Sequence, residues 1–331
     1  IIAIAGATKL ICRHYSPFYI IKRNKMNYSD SILFSCNSKK DLLKVLRISE
    51  DEIDTAIKQG YSTYPKHKNG KTRFINEPNE ALLKILRKIN FELQKLDKPL
   101  YATSGWVKQS CCNNVILHKD NPFVITMDIA NYFPNTRSYY IEKFFDENLK
   151  IKGEALNILL KLITYNNCLP TGAPTSTILS YFAHKDIFDS IHRCMQNNNI
   201  QFTLYVDDIT LSSKKFIGKW VVKYIKSSLQ AHSLFIKSSK TKFYGYRGAK
   251  INGLFINQNR QISTPWKLGH SVVKKLEQKN LKEMNKTELQ KLLGKIAYIQ
   301  QLHPKQFVAT KHKIIKQLKI LERKNYAEKH K

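Results

Sequence analysis

Two adjacent aspartates inside an alternating apolar segment constrain the fold of this chain more than any other feature. Segment 201–213 has apolar side chains at every second position before and after Asp207 and Asp208. This pattern predicts a β-hairpin with the two carboxylates at its tip. Adjacent like charges in apolar surroundings raise each other's pKa, and a hard divalent cation such as Mg²⁺ relieves that repulsion. The segment therefore indicates a metal site, with an ordinary Asp-rich turn as the alternative.

A third carboxylate lies in another apolar segment. Asp128 interrupts the mostly apolar residues 123–129, where an unpaired charge is costly. Three carboxylates on two strands would bind two Mg²⁺ ions, with Mn²⁺ as a substitute, in the arrangement that suits nucleotidyl transfer. The alternative is that Asp128 caps the turn that follows it.

The charge of the chain predicts an anionic polymer as its partner. The 331 residues include 56 Lys and Arg against 25 Asp and Glu, a formal net charge of +31, and a hydrophobic fraction of 42% excludes a disordered basic tail. Nucleic acid is the first candidate because neutralising phosphates releases counterions. An anionic membrane surface is the second, and it is disfavoured because the basic residues are spread along the whole chain.

Cysteine usage and hydropathy predict a reduced, cytoplasmic protein without a membrane partner. The six cysteines show no C-x-x-C pair, and no apolar run is long enough to cross a bilayer. The first Met is Met26, so we expect residues 1–25 to be an upstream extension. Residue periodicity predicts strands at 72–75, 123–129 and 201–213, and helices at 27–60, 81–96, 137–149, 154–164, 177–195 and 266–331.

Three motifs, in this order along the chain, resemble those of reverse transcriptases. Asp128 with Phe133 resembles the first catalytic motif, and segment 169–176, Leu-Pro-Thr-Gly-Ala-Pro-Thr-Ser, resembles the L-P-Q-G-x-x-x-S element. Segment 205–208, Tyr-Val-Asp-Asp, resembles the Y-x-D-D motif. Together they identify a resemblance that extends over about residues 60–320.

Further elements resemble those of bacterial retron reverse transcriptases. Segment 172–176 is similar to the G-A-P-S-S run, segment 114–118 to N-A-x-x-H, and segment 251–254 to V-T-G-L. Four positions depart from the family pattern, and none is one of the three aspartates. They are Val115 where Ala is usual, Thr171 where Gln is usual, Thr177 where Pro is usual, and Asn252 where Thr is usual.

The resemblance implies an α+β fold of the right-hand polymerase type. We expect N-terminal helices and fingers at 26–120, a palm with an antiparallel sheet and finger insertions at 121–255, and a helical thumb at 256–331. The expected catalytic residues are Asp128, Asp207, Asp208 and Lys240, and the three aspartates are the expected metal ligands. The expected nucleotide-binding residues are Lys71, Arg73, Phe133, Thr171 and Gly172. The expected RNA- or primer-binding residues are Asn114, His118, Asn252, Gly253, Trp266 and Tyr298. Each residue other than the aspartates has an alternative to its functional role, namely a place on a solvated basic surface, in a turn or in the packed core. For Asn114 and His118 the resemblance implies a structural role equally.

The activity implied by the resemblance is RNA-directed DNA synthesis. A retron enzyme would use deoxynucleoside triphosphates and a cognate noncoding RNA (msr–msd), start from a guanosine 2′-OH, and make multicopy single-stranded DNA (msDNA). The resemblance also implies a separate effector protein as a partner and a role in antiphage defence. The alternatives are a reverse transcriptase of the group II intron or diversity-generating type, and a non-catalytic RNA-binding scaffold.

Overall fold

The computed structural model describes residues 26–68, 70–106 and 109–329, and the expected extension 1–25 lies outside them. The helices are α1 Lys39–Leu46, α2 Glu50–Gln59, α3 Glu80–Leu93, α4 Cys111–Ile116, α5 Tyr132–Asn135, α6 Ser138–Leu149, α7 Gly153–Ile163, α8 Ser176–Ala183, α9 Lys185–Asn197, α10 Lys219–Gln230, α11 Trp266–Gln278, α12 Lys286–Gln300 and α13 Val308–Lys329. The strands are β1 Tyr61–Lys68, β2 Lys71–Pro78, β3 Phe123–Ala130, β4 Gln201–Tyr205, β5 Asp208–Ser213, β6 Phe235–Ile236, β7 Lys242–Tyr244, β8 Ala249–Ile251, β9 Leu254–Ile256 and β10 Ile262–Ser263.

A five-stranded antiparallel sheet occupies the centre of the fold. Its strand order is β4-β5-β3-β6, and β7 pairs with the first half of β3 on the same edge as β6. Successive side chains of a strand point to opposite faces. Ile125, Met127 and Ile129 therefore enter the main core, while Val124 joins a second cluster with α4 and the β8–β9 hairpin. The sheet is buried on both faces, which is why segment 123–129 is almost continuously apolar.

The N-terminal part packs three helices against α7 and extends an antiparallel ribbon. Ser49 and Glu52 form a capping box at the start of α2. The region 27–60, predicted as helical, holds α1 and α2 with non-helical residues between them. Strands β1 and β2 pair along their whole length, from Tyr61 opposite Pro78 to Lys68 opposite Lys71.

The C-terminal helices α11, α12 and α13 form a separate small core. Its buried members lie on all three helices and on the linker between α11 and α12, namely Val272, Met284, Leu289, Leu292, Ile296, Ile299 and Ile314. These residues confirm the helical tail predicted from the leucine spacing. The boundaries proposed at residues 120 and 255 stay predictions.

The predicted helix at 177–195 is divided, and β1 is among the strands that residue periodicity did not predict. The region 177–195 forms α8 and α9, which are separated at His184, a buried residue whose Nε2 lies 3.1 Å from Thr136 Oγ1. The apolar spacing continues across this break because both helices bury side chains in the same core. Strand β1 has no apolar alternation because the ribbon is exposed.

Five of the six cysteines lie in the described residues. Among the five cysteines there, all are free thiols. None of the helices within the described ranges is long and apolar enough to cross a membrane.

Candidate active site

Strand pairing brings the three predicted carboxylates to one end of the central sheet. Asp128 in β3 lies directly opposite Asp208, the first residue of β5. Asp207 belongs to the two-residue turn between β4 and β5, since Tyr205 pairs with Asp208. The backbone N–H of Ile129 donates to the carbonyl oxygen of Asp207 at 2.8 Å, which holds the turn against β3. The predicted hairpin with an acidic tip is confirmed.

The turn that carries Asp207 has a strained backbone. Val206 has φ +56°, a left-handed conformation that a β-branched residue rarely adopts and that costs of order 1–3 kcal/mol. Its N–H donates to Ser104 Oγ at 2.6 Å. This bond, together with the contact of Asp207 with Ile129, ties the turn to two neighbouring segments and keeps it in this conformation.

Burial and mutual repulsion raise the pKa values of the paired aspartates. Burial raises the pKa of Asp208 to about 6, with further contributions from the charges of Asp207 and Asp128. Burial also raises the pKa of Asp207, and the charge of Asp128 adds to the effect. Carboxylates that repel one another in this way are stabilised in their charged form by a cation placed between them.

Two lysines meet Asp128 from one short segment. Lys240 Nζ contacts Asp128 Oδ2, and Lys237 Nζ lies 3.1 Å from Asp128 Oδ1. Both follow β6, which pairs with the end of β3, and the N–H of Lys237 donates to the carbonyl oxygen of Asp128 at 2.9 Å. Lys240 was predicted from its motif position. Lys237 was missed, although its spacing of three residues from Lys240 was a signal, because residues i and i+3 of a 3₁₀ turn lie on the same side.

The acidic group has the chemistry of a site for a hard divalent cation. Asp128 Oδ1 is buried and accepts no hydrogen bond, even with Lys237 beside it. Carboxylate oxygens are the ligands that Mg²⁺ prefers, so the three aspartates fit this ion. Within the described parts of the chain, no group of three or more His, Cys, Asp or Glu side chains is already arranged as a metal site.

Three polar side chains form a hydrogen-bonded chain that ends at Asp208. Asn252 Nδ2 donates to Asp208 Oδ2 at 2.9 Å, and Asn252 Oδ1 accepts from Asn114 Nδ2. Thr103 Oγ1 in turn donates to Asn114 Oδ1 at 3.0 Å. Asn252 and Gly253 form the turn of the β8–β9 hairpin with φ +46° and +85°, which is the Asn-Gly turn that such two-residue hairpins favour. We refer to Thr103, Asn114 and Asn252 as the amide relay.

The two side chains expected from the N-x-x-x-H segment to bind RNA are fully buried. Asn114 belongs to the amide relay, and His118 lies 2.7 Å from both Ser212 Oγ and Thr203 Oγ1. Burial lowers the pKa of His118 to about 3, so that the imidazole is neutral. These contacts join the end of α4 to β4 and β5, and they support the structural role rather than direct contact with RNA.

The loop before α8 is fastened to the exposed ribbon. Thr171 Oγ1 donates to the carbonyl oxygen of Phe74 at 2.9 Å, and a Cβ on Gly172 would lie 2.3 Å from the carbonyl oxygen of Asn76. Thr171 and Gly172 thus lie against β2 rather than in an open loop. Arg73, on the same strand, is exposed. The side chain of Lys71, at the start of β2, lies outside the described part of the structure.

The remaining predicted residues differ in their exposure and in their contacts. Phe133 is half-buried and stacks on Tyr132, with ring centroids 5.9 Å apart. Trp266 is 76% exposed on α11. Tyr298 OH lies 3.6 Å from Cys111 Sγ, and also 3.6 Å from the position of a Cβ on Gly253. Tyr298 therefore joins α12 to α4 and the β8–β9 hairpin, while the exposed Trp266 ring stacks on His270 with centroids 4.9 Å apart.

Three clustered aspartates lie at one end of an antiparallel sheet, and the chain also has an exposed ribbon and a helical C-terminal bundle. These features are those of the right-hand polymerase fold. The sequence profile of the family described as reverse transcriptase (RNA-dependent DNA polymerase) matches residues 64–263, more than half of the chain. The chain therefore belongs to the reverse transcriptase family, and the predicted fold class is confirmed.

Curated relatives confirm the similarity to retron enzymes. The chain is 27% identical over 228 residues to the Retron Se72 reverse transcriptase of Salmonella heidelberg (strain 579083-10). This alignment covers 66% of this chain and 59% of that protein. It is 29% identical over 238 residues to the Retron Ec86 reverse transcriptase of Escherichia coli, in an alignment that covers 68% of this chain and 72% of that protein. A solved structure of telomerase from Candida albicans with a fragment of telomeric RNA aligns with a TM-score of 0.49 and 12% identity, over 82% of this chain and 59% of that chain.

Proposed function

We propose that this protein is an RNA-directed DNA polymerase. The observation that carries the proposal is the convergence of Asp128, Asp207 and Asp208 at one end of the sheet, in a chain of the reverse transcriptase family. The reaction is attack of a primer hydroxyl on the α-phosphorus of a deoxynucleoside triphosphate, with pyrophosphate as the leaving group. A scaffold that only binds RNA has no use for three clustered carboxylates, two of which have pKa values raised by burial and by mutual repulsion.

The residues of the site divide between metal binding and substrate positioning. Asp128, Asp207 and Asp208 would hold divalent cations, with two Mg²⁺ ions as the proposed complement and Mn²⁺ as a substitute. Such ions acidify the attacking hydroxyl and stabilise the charge of the leaving group. Lys240 would donate a proton to pyrophosphate, since its amine already lies at Asp128. Phe133 would lie under the sugar, and Thr171, Gly172, Lys71 and Arg73 would line the nucleotide and triphosphate site.

We propose further that the enzyme is of the retron type. The support is the similarity to the Se72 and Ec86 retron enzymes, together with the retron-like segments 114–118 and 251–254. The template and primer would then be one structured noncoding RNA, the first bond would form at a guanosine 2′-OH, and the product would be msDNA. A separate effector protein and antiphage defence belong to the same proposal.

The test is expression of the chain with its own upstream intergenic region. We expect a DNA species that RNase A shortens and DNase destroys, and its loss in the variant with Asp207→Asn and Asp208→Asn. Purified protein that extends a DNA primer on a generic RNA template, with no such species in cells, would keep the polymerase and contradict the retron type. Synthesis that persists in the double variant would contradict the catalytic role of the aspartates.

A further inference from the structure

The central sheet ends in an exposed aromatic surface on the side away from the catalytic aspartates. β5 and β7 flank β3 and run antiparallel to it, so that both end where β3 begins. The residues that follow them include Phe216 and Tyr246, whose ring centroids lie 5.9 and 5.2 Å from that of Phe123 in edge-on arrangement. Phe216 is 77% exposed and Tyr246 is 67% exposed, so both rings are open to solvent.

The same surface is basic and lacks acidic residues of its own. Lys214 and Lys215 immediately precede Phe216, Arg247 follows Tyr246, and all three are exposed. Residues 209–276 contain 14 Lys and Arg and no Asp or Glu. The acid that precedes β3 most closely in sequence, Asp120, is paired with Lys119 at 3.6 Å. We call Phe123, Lys214, Lys215, Phe216, Tyr246 and Arg247 the distal aromatic surface.

We infer that the distal aromatic surface binds an unpaired segment of RNA, with bases stacked on Phe216 and Tyr246 and phosphates at the flanking cations. Proteins bind single-stranded nucleic acids with exposed aromatic rings among basic residues, because every base has a face that can stack on a ring. A protein partner is disfavoured because lysine is depleted at protein interfaces, whereas two lysines adjoin Phe216 here.

The surface is distinct from the polymerase site. Phe123 and Asp128 are five residues apart on one strand, which corresponds to about 17 Å at roughly 3.3 Å per residue. An RNA segment held there is therefore not the nucleotide that is being copied. The inference rests on the proposed RNA-directed activity, but it does not depend on the retron type.

The experiment measures binding of a second RNA to enzyme whose polymerase site is already filled. The full chain is saturated with a short preannealed RNA template and DNA primer, and a fluorescently labelled oligo(U), which has no secondary structure, is then titrated. We expect the variant with Phe216→Ala and Tyr246→Ala to bind oligo(U) about tenfold more weakly or worse, because base stacking is lost. Phe91→Ala is the matched control, since Phe91 is 62% exposed on α3 with the Lys95 amine 4.5 Å from its ring centroid; its binding should be unchanged.

A charge variant provides an independent second measurement. Replacement of Lys214 and Lys215 by Gln should reduce the slope of log K against log salt by about 1.4, at roughly 0.7 per phosphate contact on a single strand. Replacement of the exposed Lys40 and Lys58 by Gln should leave the slope unchanged. Oligo(U) affinity and slope that do not differ between the surface variants and their controls would overturn the inference and favour a protein ligand. Failure of the protein to bind the template–primer would instead contradict the proposed function, so the two failures are distinguishable.

Discussion

Asp208 and Asp128 are held in position by groups of different charge. Asn252 is a neutral donor to Asp208, so it fixes the orientation of the carboxylate without cancelling the negative charge that a cation needs. Asp128 instead meets the amines of Lys237 and Lys240. We therefore expect Asn252 to act as a positioning residue for Asp208, and not primarily as a contact for RNA or primer.

Replacement of Asn252 by Gly tests this role with little change in the backbone. Gly tolerates the φ of +46° at this position, while the donor to Asp208 is lost. Because hydrogen bonds to charged groups are worth about 1.5–3 kcal/mol, we expect kcat for primer extension to fall by about tenfold or more, with little change in the KM for the nucleotide. Steady-state kinetics on a fixed template–primer measure both.

Asn166→Gly is the matched control for the backbone change. Asn166 also has positive φ, +51°, and it is exposed in the turn that follows α7. Its kcat should equal that of the wild type. A rise in KM without a fall in kcat in Asn252→Gly would contradict positioning and favour a direct substrate contact.

The clustering of the three aspartates could be predicted from the sequence, whereas the amide relay could not. Apolar alternation on both sides of Asp207 and Asp208 defined the hairpin, and β3 was recognisable as a buried strand. The relay depends on contacts between residues far apart in the chain: Asn114 and Asn252 are separated by 138 positions. Local patterns contain no information on such a contact, and only the packing of α4 against the β8–β9 hairpin produces it.

At the scale of elements, the contact between the ribbon and the loop before α8 fixes one wall of the expected nucleotide site. A Cβ on Gly172 would meet the carbonyl oxygen of Asn76 at 2.3 Å, and because that atom is backbone, β2 would have to move away. We expect Gly172→Ala to lower stability by about 1–3 kcal/mol and to raise the KM for deoxynucleoside triphosphates several-fold. Urea unfolding and nucleotide titration in primer extension measure the two effects.

Gly269→Ala serves as the control for an added methyl group. No atom lies within 4 Å of its Cβ position, and the residue is in α11, so that Ala should be neutral or stabilising by about 0.5–1 kcal/mol. A Gly172→Ala enzyme with wild-type KM and stability would show that the loop does not depend on close contact with β2.

The ribbon itself shows why some elements escape prediction from sequence. Strand β1 reads Tyr-Ser-Thr-Tyr-Pro-Lys-His-Lys, without the apolar alternation that reveals a half-buried strand. Its stability comes from pairing with β2 along eight residue pairs, and not from a buried face. The thumb helices are the opposite case, because their leucine spacing reports a core that they form themselves.

For the whole molecule, positive charge and buried neutral histidines act together when the pH falls. Burial lowers the pKa of both His118 and His184 to about 3, whereas an unfolded histidine has a pKa of about 6.5. Between these values the unfolded chain binds more protons, so that stability is lost as the pH falls below about 6.5. Protonation also adds to the net charge of +31 and therefore to self-repulsion.

We expect each of these two histidines to lower the free energy of unfolding by about 2 kcal/mol between pH 7 and pH 5, at roughly 1.4 kcal/mol per pH unit below the unfolded pKa. The raised pKa of Asp208 offsets part of this loss, because the folded carboxyl takes up a proton in the same interval. Urea unfolding at the two pH values, without nucleic acid, measures the difference. His118→Gln should reduce the pH dependence by about 2 kcal/mol even if the variant is less stable at pH 7, because the missing group no longer takes up a proton on unfolding. His67→Gln is the control, since His67 is exposed on β1 and should leave the difference between the two pH values unchanged. An unchanged pH dependence in His118→Gln would show that His118 is not held neutral by burial, and would return it to the residues available for contact with RNA.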